Sequence, residues 1–426
     1  MSGRPARRLA TPAIDEAALA ERLLEGFRSL SADPASGVTR PAWSPQETAC
    51  HALLAEVGEA HGLLRHVDAV GNLWLAPPGL GDRPAMASGS HLDSVPQGGN
   101  YDGAAGAVAG LICALRAVRS DIPLRAVALR GEESPWFGAP YVGSRAAFGA
   151  LDAAELAAPR RDSGRSLADH LAAEGFSPAA AGGGIPLPEV RRTTMLWELH
   201  IEQGPVLVDR ELPAAAVSAV RGHIRFPRAR CMGEAGHSGV VPRHLRRDPA
   251  MAVSELLMDL DGLWARSLQE GVDLVVTAGM MATEAEVSTP TRIPGELLFS
   301  LDIRSADAAT LDGMRSFLAR RCVDIGRARG VTFDLGRYVE AAPILLDQDG
   351  RLAIEAALEK PHSMVSGAGH DAAEFARRGI PAAMVFVRNR HGSHNPREAM
   401  EIADLMRGVD ALYAAIQAHA RQHDRG

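Results

Sequence analysis

Short apolar segments that end abruptly in charged residues alternate with helical segments through roughly the first 210 residues, and few folds accommodate that rhythm. Residues 15–30 and 46–62 place apolar side chains at helical spacing. RPAMASGSHLD (83–93) and LRAVALRGEE (124–133) read as short buried strands, and GAAGAVAGLICALRAVRS (103–120) between them reads as a small-residue helix. Strand, helix and strand in this order predict an α/β fold with a mainly parallel sheet flanked by helices. In such sheets ligands bind at the carboxyl ends of the strands. His91, Glu132 and His200 each fall at the end of an apolar strand, which makes that edge the place to look for chemistry.

The pattern changes in the middle of the chain. GHIRFPRARCM, VDLVVTAGM, GELLFSLDIR and VTFDLGRYV read as strands, with helices over 249–267 and 310–330. The order βαββαβ predicts a ferredoxin-like insertion over 215–339, which divides a first domain composed of 1–214 and 340–426. After it a helix near 350–359, a strand at PAAMVFV and a final helix over 402–421 resume the first pattern. AAAGGGIPLP (179–188) reads as a loop. The basic start MSGRPARRLATPA has no apolar core segment, so it reads as a short arm rather than a secretory signal.

Composition narrows the partners. A net charge of −7 gives no overall attraction to nucleic acid, and no apolar run is long enough to span a bilayer. The four cysteines (Cys50, Cys113, Cys231, Cys322) form no CxxC pair, which argues against a zinc-finger site and a dense disulfide framework and fits a reducing cytoplasm. Phosphate-binding, dinucleotide-binding, HExxH and GxSxG motifs are all missing from the sequence. The run RHLRR (243–247) is most simply a solvated face.

What remains is a scattered set of oxygen and imidazole groups, the side chains that hold divalent metals. GSHLDSVPQGGNYDG supplies His91, Asp93 and Asp102, RGEESPWFG supplies Glu132 and Glu133, and LWELHIEQG supplies His200. GAGHDAAEF offers His370 and Asp371, and NRHGSHNPRE offers His391 and His394. Asp93, two residues past His91, can orient the ring nitrogen that faces away from a metal. Each piece has a plain alternative: Asp102 as the N-cap of the next helix, the glutamate pair as solvated charge, His200 as a satisfied half-buried ring. Taken together they point to a metal centre.

In order along the chain, GSHLDSV…GGNYDG, EES–WFG, ELHIEQGPVL, GEAGHSG, DIR, SGAGHDAAEFA and GSHNPRE resemble the hydantoinase/carbamoylase family of two-metal amidohydrolases. That family lies within the superfamily of aminoacylases and carboxypeptidase-like metallopeptidases. Its members include N-carbamoyl-L-amino-acid hydrolases, allantoate amidohydrolases and β-ureidopropionases, and the match runs from about Gly37 to about Glu398.

The resemblance implies that His91 and His200 bind one divalent ion, Glu133 and His394 a second, and that Asp102 bridges the two. Zinc is the expected metal, with manganese, cobalt or nickel as alternatives. Glu132 would be the general base, Asp93 the support of His91, and His237 the group that polarises the scissile carbonyl from the partner subunit of a homodimer. Arg304 would pair with a substrate carboxylate, and Gln203, Gly369 and His370 would line the pocket. The sequence departs from the family pattern at EVSTPTRIPGE, where Thr291 replaces the usual asparagine and Arg292 stands beside it. His223, in an unusually basic strand, occupies another position where a polar substrate contact is expected.

The implied reaction is hydrolysis of the ureido C–N bond of an N-carbamoyl-L-amino acid, or of allantoate. A peptidase or deacylase ranks below these, because peptidase relatives usually carry a carboxylate where His200 stands. A non-catalytic binding protein would be favoured by loss of a ligand or of Glu132, and neither is lost.

Overall fold

The structure is a computed structural model that describes residues 14–423. The basic arm expected at the start of the chain therefore lies outside the described residues. The chain divides into two compact units: one runs to residue 218 and resumes over 346–364 and from 370 onward, the other comprises 219–345 and 365–369.

The first unit is built on a mixed sheet with a parallel centre. Its strands lie in the order Leu64–Val67, Leu73–Ala76, Leu124–Leu129, Ala85–His91, Thr193–Ile201, Ala382–Val387, Ala214–Val220. The four from Leu124–Leu129 to Ala382–Val387 are mutually parallel, and the flanking strands are antiparallel. Both faces are covered, so the central strands are buried along nearly their whole length and do not alternate between buried and exposed residues. Met195, Trp197, Leu199 and Ile201 point into one core together with helices Glu16–Ser31, Ala104–Ser120 and Ile402–His423. Leu196, Met384 and Phe386 point into a second core, on the other side. The small residues of helix Ala104–Ser120 allow a close approach to the sheet: a Cβ on Gly106 would lie 2.1 Å from the Leu199 carbonyl oxygen.

Two expectations need correction. The 179–188 segment is not wholly loop. Pro178–Ala181 forms a helical turn because Ser177 Oγ accepts the Ala180 N–H (3.1 Å), and Pro188–Arg191 forms another. VTFDLGRYV is not one strand. Asp334 accepts the Gly336 N–H and Gly336 takes a φ of 66°, so the chain breaks into Thr332–Asp334 and Val339–Ala341.

In the second unit, strand Gly222–Met232 pairs on one side with Glu296–Ser305, and Val275–Thr277 lies beyond that. Thr332–Asp334 and Val339–Ala341 pair with its other edge, and every pairing is antiparallel. The alternation in ELLFSLDIRS buries Leu297, Phe299, Leu301 and Ile303 against helices Pro249–Gln269 and Ala308–Arg329. The register slips between Phe299 and Leu301, and Pro227 falls in the resulting bulge, where its missing N–H breaks no ladder. The opposite face carries the polar residues His223, Arg225, Asp302 and Arg304.

Candidate metal centre and the residues around it

Adjacent parallel strands bring the site together at their carboxyl ends. His91 is the last residue of Ala85–His91, the Glu132–Glu133 pair follows Leu124–Leu129, and His200 is next to last in Thr193–Ile201. Asp102 enters from the turn before helix Ala104–Ser120. The N-cap of that helix is Gly103, at φ 65°, so Asp102 does not serve as the cap and its carboxylate turns to the histidines. Only glycine fits at 103, since a Cβ there would stand 2.4 Å from the His91 ring.

Asp102 is shared between two groups. Its Oδ1 lies 3.1 Å from His200 Nε2 and 3.6 Å from His91 Nε2. Its Oδ2 lies 3.5 Å from His394 Nε2, which is itself 3.3 Å from Glu133 Oε1. In each trio, His91–Asp102–His200 and Asp102–Glu133–His394, the ligand-type atoms lie within 4.8 Å of one another. Glu132 Oε2 stands 3.9 Å from His91 Nε2, beside the first trio.

Asp93 underpins both strand ends. It is wholly buried, and its Oδ1 lies 3.2 Å from His91 Nδ1 and accepts the Glu132 N–H (2.9 Å). Its Oδ2 accepts the Glu133 N–H (3.1 Å). A single carboxylate therefore orients a ligand-type histidine and the turn that carries both glutamates.

Gln203 and His394 adopt left-handed backbone, with φ of 63° and 59°, and so does His391. Such a conformation costs energy in a non-glycine residue and needs local support. Asn389 accepts the Gln203 N–H and donates to the Gly392 carbonyl, while Asn395 donates to the carbonyls of His391 and Ser393. Gln203 Nε2 donates to Asp102 Oδ2 (2.7 Å), and its Oε1 is buried without a hydrogen-bond partner among the described residues. His391 belongs to neither trio.

The site's electrostatics favour cations. Burial disfavours charge on His91, but its bonds to Asp102 and Asp93 and the charge of Glu132 outweigh that and raise its pKa well above the usual histidine value. His200 is raised in the same way through Asp102, and the Glu133 bond pushes His394 up to about 9. Asp102, despite burial, is held well below the carboxylate range by His200 and His91. Glu132 is pushed well up by burial, which the His91 charge opposes and the Glu133 charge reinforces. Clustered carboxylates thus draw positive charge onto three histidines, and a divalent cation meets the same demand. Donors about 2.1 Å from a common ion stand about 3.4 Å apart in tetrahedral geometry, which matches the separations around Asp102. The residues fit a divalent metal.

A third trio, Glu198–His200–His370, has a different character. Glu198 accepts the Ser90 hydroxyl (2.7 Å) and the Ala372 N–H (2.8 Å). His370 is buried with its ring 4.5 Å from that of His200, so it backs a ligand-type histidine and presents almost no surface of its own. Asp371, also buried, accepts the Ser144 hydroxyl (2.6 Å). Ser393 and Glu398, within GSHNPRE, belong to the site without being among its expected residues. Glu398 Oε1 accepts the N–H groups of Tyr101 and Asp102, and the Ser393 hydroxyl lies between Glu398 Oε2 and Asp102 Oδ2, within hydrogen-bond reach of either but with one proton to donate. The dense polar residues flanking His394 were the available signal.

Five expected residues belong to the second unit. His237 pairs with Arg292 in a two-stranded ribbon with Ile293 opposite Gly236. Gly239 donates its N–H to His237 Nδ1 (3.1 Å), so the neutral ring carries its proton on Nε2. The Thr291 carbonyl accepts the Ser238 N–H (2.9 Å). Arg304 pairs with His223 across the sheet at the far end of the long strands. Its bidentate edge is taken by Asp302 (3.1 and 2.7 Å) and its Nη1 donates to Gly367 (2.7 Å), which leaves two of its five N–H groups. Gly369 ends the short 365–369 segment.

A mainly parallel sheet whose strand ends gather histidines and carboxylates around one shared aspartate defines an α/β fold with a site suited to a divalent metal. The comparisons make this specific: residues 87–418 match the model of peptidase family M20/M25/M40, and the chain belongs to that family. Membership makes it a hydrolase of amide C–N bonds. It is 32% identical to an allantoate amidohydrolase of Escherichia coli, over 92% of this chain and 95% of that protein. It is 31% identical to an N-carbamoyl-L-amino-acid amidohydrolase of Paenarthrobacter aurescens, over 94% and 98%. A hydantoinase/carbamoylase family amidase from Burkholderia ambifaria superposes with a TM-score of 0.83 at 28% identity, over 95% and 96% of the two chains. No helix among the described residues is long and apolar enough to cross a membrane.

Proposed function

We propose that this enzyme hydrolyses the ureido C–N bond of an N-carbamoyl-L-amino acid or a close ureido acid, releasing ammonia, carbon dioxide and the amine. The observation that carries the reading is the Asp102 carboxylate shared between two histidine–carboxylate groups, with Glu132 at their edge. His91, Asp102 and His200 would hold one divalent ion, and Asp102, Glu133 and His394 a second, with zinc first among the candidates and manganese, cobalt or nickel behind it. Divalent cations held there supply Lewis-acid chemistry, acidifying water and polarising the carbonyl.

The chain's own residues do the rest. Glu132 takes a proton from the attacking water and passes it to the leaving nitrogen as the C–N bond breaks. Its neighbour Glu133 is turned toward His394, so the two adjacent carboxylates have separate tasks. Gln203 Oε1, a buried acceptor without a hydrogen-bond partner among the described residues, suits a ureido N–H. Arg304 has N–H groups left for a substrate carboxylate, and His237 offers Nε2–H to the oxygen that gains charge. Cleavage first gives a carbamate, which decomposes to ammonia and carbon dioxide.

We also propose a homodimer, with the second unit as its dimerisation and lid domain. His223, opposite Arg304, and Met232, five residues before His237, lie near the two ends of strand Gly222–Met232. At 3.3 Å per residue these ends are roughly 25–30 Å apart, whereas a small ureido acid is about 10 Å long. That separation supports a site to which Arg304 and His237 come from different subunits. The four scattered thiols, all free and buried, suit a reducing cytoplasm.

Allantoate is the second reading, favoured by the 32% relative that acts on it. The test is ammonia release from N-carbamoyl amino acids, allantoate and 3-ureidopropionate, with dipeptides and acylated amino acids as controls. Turnover confined to the ureido acids is expected; turnover confined to the controls would overturn the proposal.

A further inference from the structure

We propose that Arg292 forms a second anion-binding position beside His237, so that the substrate is a ureido acid with two anionic groups. This rests on the reading of His237 given above. Arg292 and His237 are direct partners across the antiparallel ribbon, and side chains of such partners share a face. The neighbouring pair, Ser238 with Thr291, is the hydrogen-bonded one, since Ser238 N–H donates to the Thr291 carbonyl. Antiparallel pairs alternate, so His237 and Arg292 occupy the non-hydrogen-bonded position, where facing side chains approach most closely. Any group that meets His237 is therefore within reach of the Arg292 guanidinium.

Nothing among the described residues neutralises that guanidinium. Arg292 is exposed and forms no ion pair there. Glu284 and Glu296 line the same small hollow, yet Glu296 turns to Arg230 (3.9 Å). Arg304, by contrast, lies toward the opposite end of the strand pair with its bidentate edge engaged by Asp302. In a site that takes Arg304 from one subunit and the ribbon from the other, the two cations face the substrate from different sides. One carboxylate satisfies Arg304 and a second, on the substrate side chain, satisfies Arg292 through paired charge-assisted hydrogen bonds. A monocarboxylate would leave Arg292 to water.

The test measures binding and turnover separately. Glu132→Gln protein, alone and combined with Arg292→Gln or Arg292→Lys, is titrated calorimetrically with N-carbamoyl-L-aspartate and N-carbamoyl-L-asparagine. These probes have nearly the same shape and differ by one charge. Hydrolysis of both by the wild type is followed in parallel. The aspartate compound is expected to bind about 10- to 100-fold more tightly, the range of one charged hydrogen-bond pair. Arg292→Gln should abolish that ratio, and Arg292→Lys, which keeps the charge without the fork, should retain part of it. Equal binding of the two probes, or a ratio unchanged by Arg292→Gln, overturns the inference even if both are hydrolysed. A ratio that depends on Arg292 without ammonia release upholds the anion position and overturns the proposed reaction instead.

Discussion

Replacing Asp93 by asparagine should disable the enzyme and loosen its fold, although Asp93 belongs to neither metal trio. Each of its oxygens accepts one backbone N–H, from Glu132 and from Glu133, and Oδ1 also faces His91 Nδ1. Asparagine preserves the shape but must turn its NH2 toward one of these donors in either orientation. That leaves one buried N–H unpaired, at a cost of about 1–3 kcal/mol. Two hydrogen bonds to a carboxylate also become bonds to a neutral amide, which removes about 1 kcal/mol each. The loss should total about 3–5 kcal/mol of unfolding free energy, measured by urea denaturation of chelator-treated protein. The turn carrying Glu132 loses its anchor, and a displacement of about 1 Å at a catalytic group costs about 100-fold in rate. Asp93→Asn protein with stability within about 0.5 kcal/mol of wild type and unchanged kcat would refute the argument that this one carboxylate positions the turn.

Two further outcomes follow from the same geometry. Glu132→Gln should lower kcat by about 10²–10⁴-fold while metal content by elemental analysis stays near wild type, whereas Glu133→Gln should lose close to half the bound metal. Mixing inactive Glu132→Gln and inactive His237→Ala proteins under conditions of subunit exchange should restore part of the activity, because some heterodimers hold one site with both residues intact. A mixture that exchanges subunits and stays inactive would remove His237 from the partner's site.

The parallel centre of the sheet was legible because both of its faces are buried. Residues 85–91 and 124–129 are apolar or small over most of their length and end in charge, so strand and site edge could be read together. Strand Leu64–Val67 was not legible: it is largely exposed at the sheet edge and its four residues, LRHV, carry no alternation. The break at Gly336 was missed because it depends on a side-chain bond from Asp334, a local competition that apolar pattern does not register.

The ligand-type residues were visible one by one, but their convergence came from the family resemblance and not from spacing, since Asp102 and His394 are separated by most of the chain. The role of Asp102 against the helix was decided by Gly103, whose positive φ lets it cap the helix while the aspartate faces inward. Ser393 and Glu398 escaped attention because their task is to hold other side chains, and that task appears only when Tyr101, Asp102 and His394 are brought together in space. Arg304 was expected to pair with a substrate carboxylate; that Asp302, two residues before it on the same strand face, engages part of its guanidinium is visible only in the structure.

The central claim is that paired cations sharing Asp102 support hydrolysis of a ureido bond, and metal stoichiometry measured together with turnover tests it most directly. Protein stripped by prolonged chelation should contain no transition metal by elemental analysis and release no ammonia from N-carbamoyl amino acids or allantoate. Titration with zinc, manganese, cobalt or nickel should restore turnover as binding approaches two equivalents per chain, and Asp102→Asn protein should neither bind two equivalents nor recover. Full ammonia release from protein verified to be metal-free would contradict the claim.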